Sequence, residues 1–253
     1  MSEDLKSAVK EKYSEIARNN AEGCCGEGDY TDIMAESYDA LEGYNPDADL
    51  KLGCGIPIEY AMLRSGQQVL DLGSGAGNDL FVARSIVGER GHLTGIDFSP
   101  EMNEKAERNR RKMGYENMEF HTGEIENMPF QENTFNVVLS NCVLNLIPDK
   151  KGAFSEIFRV LKKGGHFAIS DIVTDAPMDE KIRKSAELYA GCVSGAIHKE
   201  EYLDLIRKAG FKNVAIKQSR LIDIPQKWLE EQVGEVVSAD AARILSVTVT
   251  GFK

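Results

Sequence analysis

The chain has 253 residues, 42% of them hydrophobic, which suits one large α/β domain with a small attachment better than two small domains. Its net charge of −11 and pI near 5.0 disfavour general binding to nucleic-acid backbones. No run of about 18 apolar residues argues for a membrane span, and the polar start, residues 1–12, lacks the apolar stretch of a signal peptide, so the expected compartment is the cytoplasm.

Residues 4–19 carry Leu5, Val9, Tyr13 and Ile16 at helical spacing. A glycine-rich break with Cys24 and Cys25 follows, and Gly53-Cys54-Gly55 leads to Pro57, placed to open a helix reaching Leu63. Strands are then expected at 68–72, 91–97, 118–121, 135–140 and 166–171, with helices at 79–87, after Ser99-Pro100, and at 150–161. Lys163-Gly164-Gly165 reads as a basic last turn with a glycine stop. Arg108, Arg110, Arg111 and Lys112 read as a solvated helix face. The last third is less regular, with helices at 179–190 and 199–209 and strands at 213–218 and 244–252 forming an antiparallel hairpin at the sheet edge. Regular strand–helix alternation predicts an α/β fold, a doubly wound and mainly parallel sheet of seven strands.

The most informative segment is Val69-Leu70-Asp71-Leu72-Gly73-Ser74-Gly75-Ala76-Gly77-Asn78-Asp79, a strand running through three glycines into a helix. Such a loop ends a parallel strand where open α/β sheets bind nucleotide-like ligands. The glycines are one residue tighter than the dinucleotide fingerprint. Asp71 and Asp97 set two carboxylates beside the loop, a charge pattern that suits the cationic S-adenosylmethionine better than a pyrophosphate. Residues 69–79, Asp97, the run Gly123-Glu124-Ile125-Glu126-Asn127-Met128-Pro129-Phe130 and the run Arg159-Val160-Leu161-Lys162-Lys163-Gly164-Gly165 resemble successive motifs of the class I, Rossmann-like methyltransferases dependent on S-adenosylmethionine. The resemblance implies that Gly73 and Gly75 pass under the methionine moiety and that Asp97 holds the ribose. It places Glu124 and the Ile125 N–H on the adenine, and puts Asp71, Ser74, Asn78, Phe98, Met102 and Asn141 around the same cofactor.

An oxygen or nitrogen acceptor would call for a general base, yet His92, His121 and His166 fall in or beside strands and His198 reads as a helix start. The five cysteines point elsewhere. Cys142 follows the fourth strand, and Cys54 and Cys192 sit in glycine-flanked turns. Each has a plain alternative as a small buried apolar residue. Thiolates select soft centres; zinc is one candidate, but the paired C-x-x-C spacing of structural zinc sites is absent. Gly53-Cys54-Gly55, Asn141-Cys142-Val143-Leu144-Asn145-Leu146 and Tyr189-Ala190-Gly191-Cys192-Val193-Ser194-Gly195-Ala196 resemble, in order, the cysteine motifs of arsenite methyltransferases. The resemblance implies that Cys54, Cys142 and Cys192 bind trivalent arsenic as thiolates, and that Cys25 or Cys24 supplies a further redox thiol. It implies arsenite or its thiol complexes as substrate, and thioredoxin or glutathione as reductant. Residues 1–65 would form a cysteine-bearing arm, 66–175 the cofactor-binding core and 176–253 a substrate-covering segment with the closing strands. A methyltransferase for a small organic acceptor and a non-catalytic arsenic-binding thiol protein are the competing readings.

Overall fold

The computed structural model describes residues 3–19, 34–176, 178, 180, 182, 195–223, 225–234 and 243–253. Seven strands form one sheet: β1 (Gln68–Leu72), β2 (His92–Asp97), β3 (Met118–Thr122), β4 (Phe135–Asn141), β5 (Leu161–Thr174), β6 (Lys212–Ile222) and β7 (Ile244–Phe252). Their order is β3-β2-β1-β4-β5-β7-β6. The first five run parallel, and β7 lies antiparallel between β5 and β6. The chain reverses its winding between β1 and β4, so a crevice opens at their carboxyl ends. This is the Rossmann-like class I methyltransferase fold expected from the strand–helix alternation.

Alternation along β1 divides the core into two layers. Leu70 and Leu72 face Phe154, Ile157 and Tyr202, beside α4 (Lys150–Val160) and α5 (Lys199–Lys208). Val69 faces Leu80, Phe81 and Val87 of α2 (Asn78–Val87). Asp71 shares the Val69 face by the two-residue period, which puts a buried carboxyl under the glycine loop. α3 (Pro100–Met113) starts as expected, with Ser99 Oγ accepting from Met102 N–H at 3.3 Å and Pro100 in the first turn. α1 (Glu3–Asn19) docks on α3 through Ser14, whose hydroxyl donates to Glu101 at 2.8 Å, and Arg18, 2.6 Å from the same carboxylate.

Several boundaries differ from expectation. α4 stops at Val160, and Leu161 turns directly into β5 because its extended backbone pairs with Phe135. Gly164 and Gly165 therefore lie within that strand, paired with Lys253 by two backbone hydrogen bonds, and do not cap a helix. Pro57–Tyr60 is a single 3₁₀ turn in place of a helix reaching Leu63. β6 runs four residues beyond its expected end, and α6 (Gln226–Val233) occupies part of the long link before β7. Most of the helix expected at 179–190 falls outside the described residues. Among the described residues, no helix is long and apolar enough to cross a membrane.

Candidate active site

The loop after β1 is made by backbone geometry that glycine tolerates. Gly73, Gly75 and Gly77 have φ of +64°, +51° and +95°. A Cβ on Gly73 would collide with Val143, whereas one on Gly75 would meet nothing within 4 Å. Gly75 N–H donates to Asp97 Oδ2 at 3.0 Å and Ser99 N–H to Asp97 Oδ1 at 2.9 Å, so the carboxylate ending β2 braces the loop.

Two adjoining chambers open around it and share Gly73, Asp97, Phe98, Val143 and Leu146. The first also takes in Ser74, Gly75, Asn78, Asp79, Met102, Asn141 and Cys142. The second, about 430 Å³, is bounded by Glu124 and Ile125. All the expected cofactor residues except Asp71 therefore wall one cleft. Asp71 lies just behind it, within electrostatic reach of Asp79 and Asp97. Val9, Lys10 and Tyr13 of α1 add a wall that the sequence did not announce.

The electrostatics favour a cation. Burial pushes Asp79 and Asp97 up to about 6. Asp71 is raised well above the usual carboxylate range by burial, then by Asp79 and Asp97. In addition, Ser74 Oγ and Asn78 Oδ1 are buried in the loop with no protein partner. A ligand with an ammonium and a sulfonium, plus polar groups for these atoms, fits this donor set.

Of the expected cysteines, Cys142 lines the first chamber, and Cys54 sits between Gly53 and Gly55, which line it too. Cys142 leaves β4 with φ +61°, a left-handed conformation that is strained for a residue with a side chain, and its N–H donates to Ser170 O at 2.8 Å. Cys54 is fully buried, and its N–H donates to the side chain of Asn141, the residue preceding Cys142, at 3.0 Å. Tyr202 is fully buried within electrostatic reach of both. Its hydroxyl donates to Asp171 Oδ2 at 3.1 Å. Burial raises its pKa most, then Asp171, with Cys54 and Cys142 contributing, so one phenol feels both sulfurs. Burial pushes Asp171 itself up to about 7, against the pull of Lys150.

Cys192, Cys24 and Cys25 fall outside the described residues. Among the described residues no three His, Cys, Asp or Glu side chains gather as a metal site. The sequence reading missed Tyr38, Asp79, Asp171 and Tyr202 as site residues. Asp171 had a signal, a carboxylate closing an apolar strand at its carboxyl end; Tyr38, in an irregular stretch, had none.

A methyltransferase domain model matches residues 63–210. The arsenite methyltransferase of Halobacterium salinarum is 40% identical over 85% of this chain and 59% of its own length. The human arsenite methyltransferase is 32% identical over 99% of this chain and 68% of its own. Among solved structures, the arsenic(III) S-adenosylmethionine methyltransferase of Chlamydomonas reinhardtii superposes with a TM-score of 0.69 at 39% identity, covering 79% of this chain and 67% of that one. The chain thus spans roughly three-fifths of the halobacterial relative's length.

Proposed function

The chain belongs to the arsenite methyltransferase family, and on that premise we propose that it transfers methyl groups from S-adenosylmethionine to thiolate-bound trivalent arsenic. The observation that carries this reading is the seating of Cys54 on Asn141, next to the strained Cys142, with Asn141 and Cys142 both lining a cleft that carries acidic residues. A methyltransferase for an organic acceptor gives those two buried thiols no task.

When bound, S-adenosylmethionine supplies an electrophilic methyl carbon. The chain's residues supply position. Gly73 and Gly75 would let the backbone approach the methionine moiety, Asp97 would hold the ribose, and Glu124 with the Ile125 N–H would meet the adenine. Asp71 and Asp79 offset positive charge.

Arsenic enters as a trihydroxide or a small-thiol complex. Each cysteine S–H exchanges for one As–OH, forming an As–S bond and releasing water, so no external base is needed. Cys54 and Cys142, with Cys192 as third ligand, hold arsenic pyramidal, and its lone pair is free to attack. No proton leaves the acceptor, so catalysis rests on alignment of the two reactants. Methylation takes two electrons from arsenic. Oxidation of two thiols, Cys25 or Cys24 with Cys54, to one disulfide returns them, and thioredoxin or glutathione then reduces the disulfide. This chemistry belongs in the cytoplasm, where thiols stay reduced. On this reading residues 1–65 present Cys54 to the core 66–175, and 176–253 supplies Cys192 as the covering ligand.

Incubation of the purified chain with arsenite, a dithiol or glutathione, and methyl-labelled cofactor tests the reading. Labelled methylarsenicals are expected, and their loss is expected in Cys142→Ser with cofactor affinity retained. Labelled product in the absence of arsenic, or wild-type turnover by Cys142→Ser, would contradict it.

A further inference from the structure

The seat of Cys54 is built from residues that also wall the cofactor cleft. Asn141 Oδ1 accepts the Cys54 N–H at 3.0 Å, and Asn141 Nδ2 donates to Gly55 O at 2.8 Å. One amide thus grips the peptide on both sides of Cys54, and its orientation is fixed because acceptor faces donor at each end. Asn141 Nδ2 also reaches the Tyr38 hydroxyl at 3.0 Å and Asp79 Oδ2 at 3.4 Å. The hydroxyl hydrogen of Tyr38 is shared between Asp79 Oδ1 at 2.8 Å and Gly55 O at 3.2 Å. Tyr38 and Asp79 are buried, while Asn141 is half-buried at the chamber wall.

There is no slack in the seat. A Cβ on Gly53 would stand 2.6 Å from Asn141 Nδ2, and one on Gly55 2.7 Å from Ser170 Oγ. Meanwhile Tyr38, Gly53, Gly55, Asp79 and Asn141 all line the first chamber. A ligand in that chamber and an arsenic atom on Cys54 therefore lean on the same small set of groups.

We propose that Asn141, backed by Tyr38 and Asp79, is a positioning residue that couples the two substrate sites, so that a cationic cofactor in the cleft tightens arsenic binding at Cys54 and Cys142, and arsenic tightens the cofactor. The proposal rests on the thiol ligation set out above. A cation beside Asp79 pairs with its carboxylate and holds it ionised and in one orientation. The Tyr38 hydroxyl and Asn141 amide then donate to a carboxylate, and charge-assisted hydrogen bonds are roughly twice as strong as neutral ones. The clamp stiffens where it holds Cys54, and linkage makes the effect reciprocal.

The test measures phenylarsine oxide binding calorimetrically to the full chain, with and without saturating sinefungin, a cationic cofactor analogue with no methyl group to give. The chain carries Cys24→Ser and Cys25→Ser so that the adjacent pair does not compete for the probe. Sinefungin is expected to tighten phenylarsine oxide binding by about fivefold or more. Tyr38→Phe keeps the ring and removes the hydroxyl, and should bring that factor close to one while the melting temperature shows a folded chain. If Tyr38→Phe does not fold, Gly53→Ala, which pushes a methyl group at Asn141 Nδ2, is read in its place. No coupling in the parent chain, or undiminished coupling in the variant read, overturns the proposal. Failure of the functional reading shows separately, as absence of methylated arsenic from the wild-type chain.

Discussion

The two most constrained residues at the site are constrained for different reasons. Cys142 holds a left-handed backbone despite its side chain, at a cost of about 1–2 kcal/mol that the surrounding structure carries. Gly73 needs both its positive φ and its missing side chain, since Val143 fills the space where a Cβ would stand; Gly75 needs only its φ. Gly73→Ala should therefore destabilise the fold by more than the ~1 kcal/mol expected of Gly75→Ala, and should weaken cofactor binding more. Urea unfolding of the two variants with parallel calorimetric titration of the cofactor reads both effects; equal losses would show that Val143 gives way freely. The glycine pattern was legible because a strand followed by three closely spaced glycines has few other uses. The Val143 contact was not, because it joins two loops about 70 residues apart.

Among the elements, α1 matters beyond its own helix. Val9 packs near Phe98 and Leu146, Tyr13 stacks edge-on to Phe98 with ring centroids 6.3 Å apart, and both line the cleft. Its attachment to α3 runs through Glu101, which accepts from Ser14 and Arg18; those two hydrogen bonds hold its carboxyl down to about 2. Glu101→Gln keeps the shape and removes the charge. It should loosen α1 locally without unfolding the sheet, seen as faster amide exchange over residues 9–18 and a cofactor Kd raised several-fold. Unchanged exchange there would show that apolar packing alone seats the helix. The amphipathic period of α1 revealed the helix, but its docking partner is set by tertiary geometry that periodicity does not encode.

At the scale of the whole molecule, the sheet order gathers Asp71, Asp79 and Asp97 at one crevice, and this has a pH consequence. Unfolded aspartates titrate near pH 4, whereas burial holds Asp79 and Asp97 up to about 6. The folded chain binds these protons more tightly, so their contribution to stability is full below about pH 4 and is lost as pH rises through about 6. A cationic ligand favours the ionised carboxylates. Sinefungin affinity should therefore rise between pH 5 and 7, by up to roughly tenfold for each proton released, with the release visible as a buffer-dependent binding enthalpy. A flat profile would show that the ligand's charge lies away from these groups.

The same scale shows what the sequence could disclose. The five parallel strands, their helices and the antiparallel pair closing the sheet follow from alternation and glycine punctuation, and the structure has them all. The long β5 was hidden because Gly164 and Gly165 mimic a helix stop; pairing of Leu161 with Phe135 and of the two glycines with Lys253, far along the chain, holds that stretch in the sheet around a bulge. The cofactor residues were legible as local motifs. The Tyr38–Asp79–Asn141 network and the Asp171–Tyr202 pair were not, since each joins segments 31 to 103 residues apart with no local pattern.

Arsenic K-edge absorption of the full chain loaded with one equivalent of arsenite measures the central interaction directly. A first shell of sulfur alone is expected, with one sulfur replaced by oxygen in Cys142→Ser and likewise in Cys54→Ser. An oxygen shell in the wild-type chain, or a sulfur shell indifferent to both substitutions, would mean that these buried thiols do not hold the atom to be methylated.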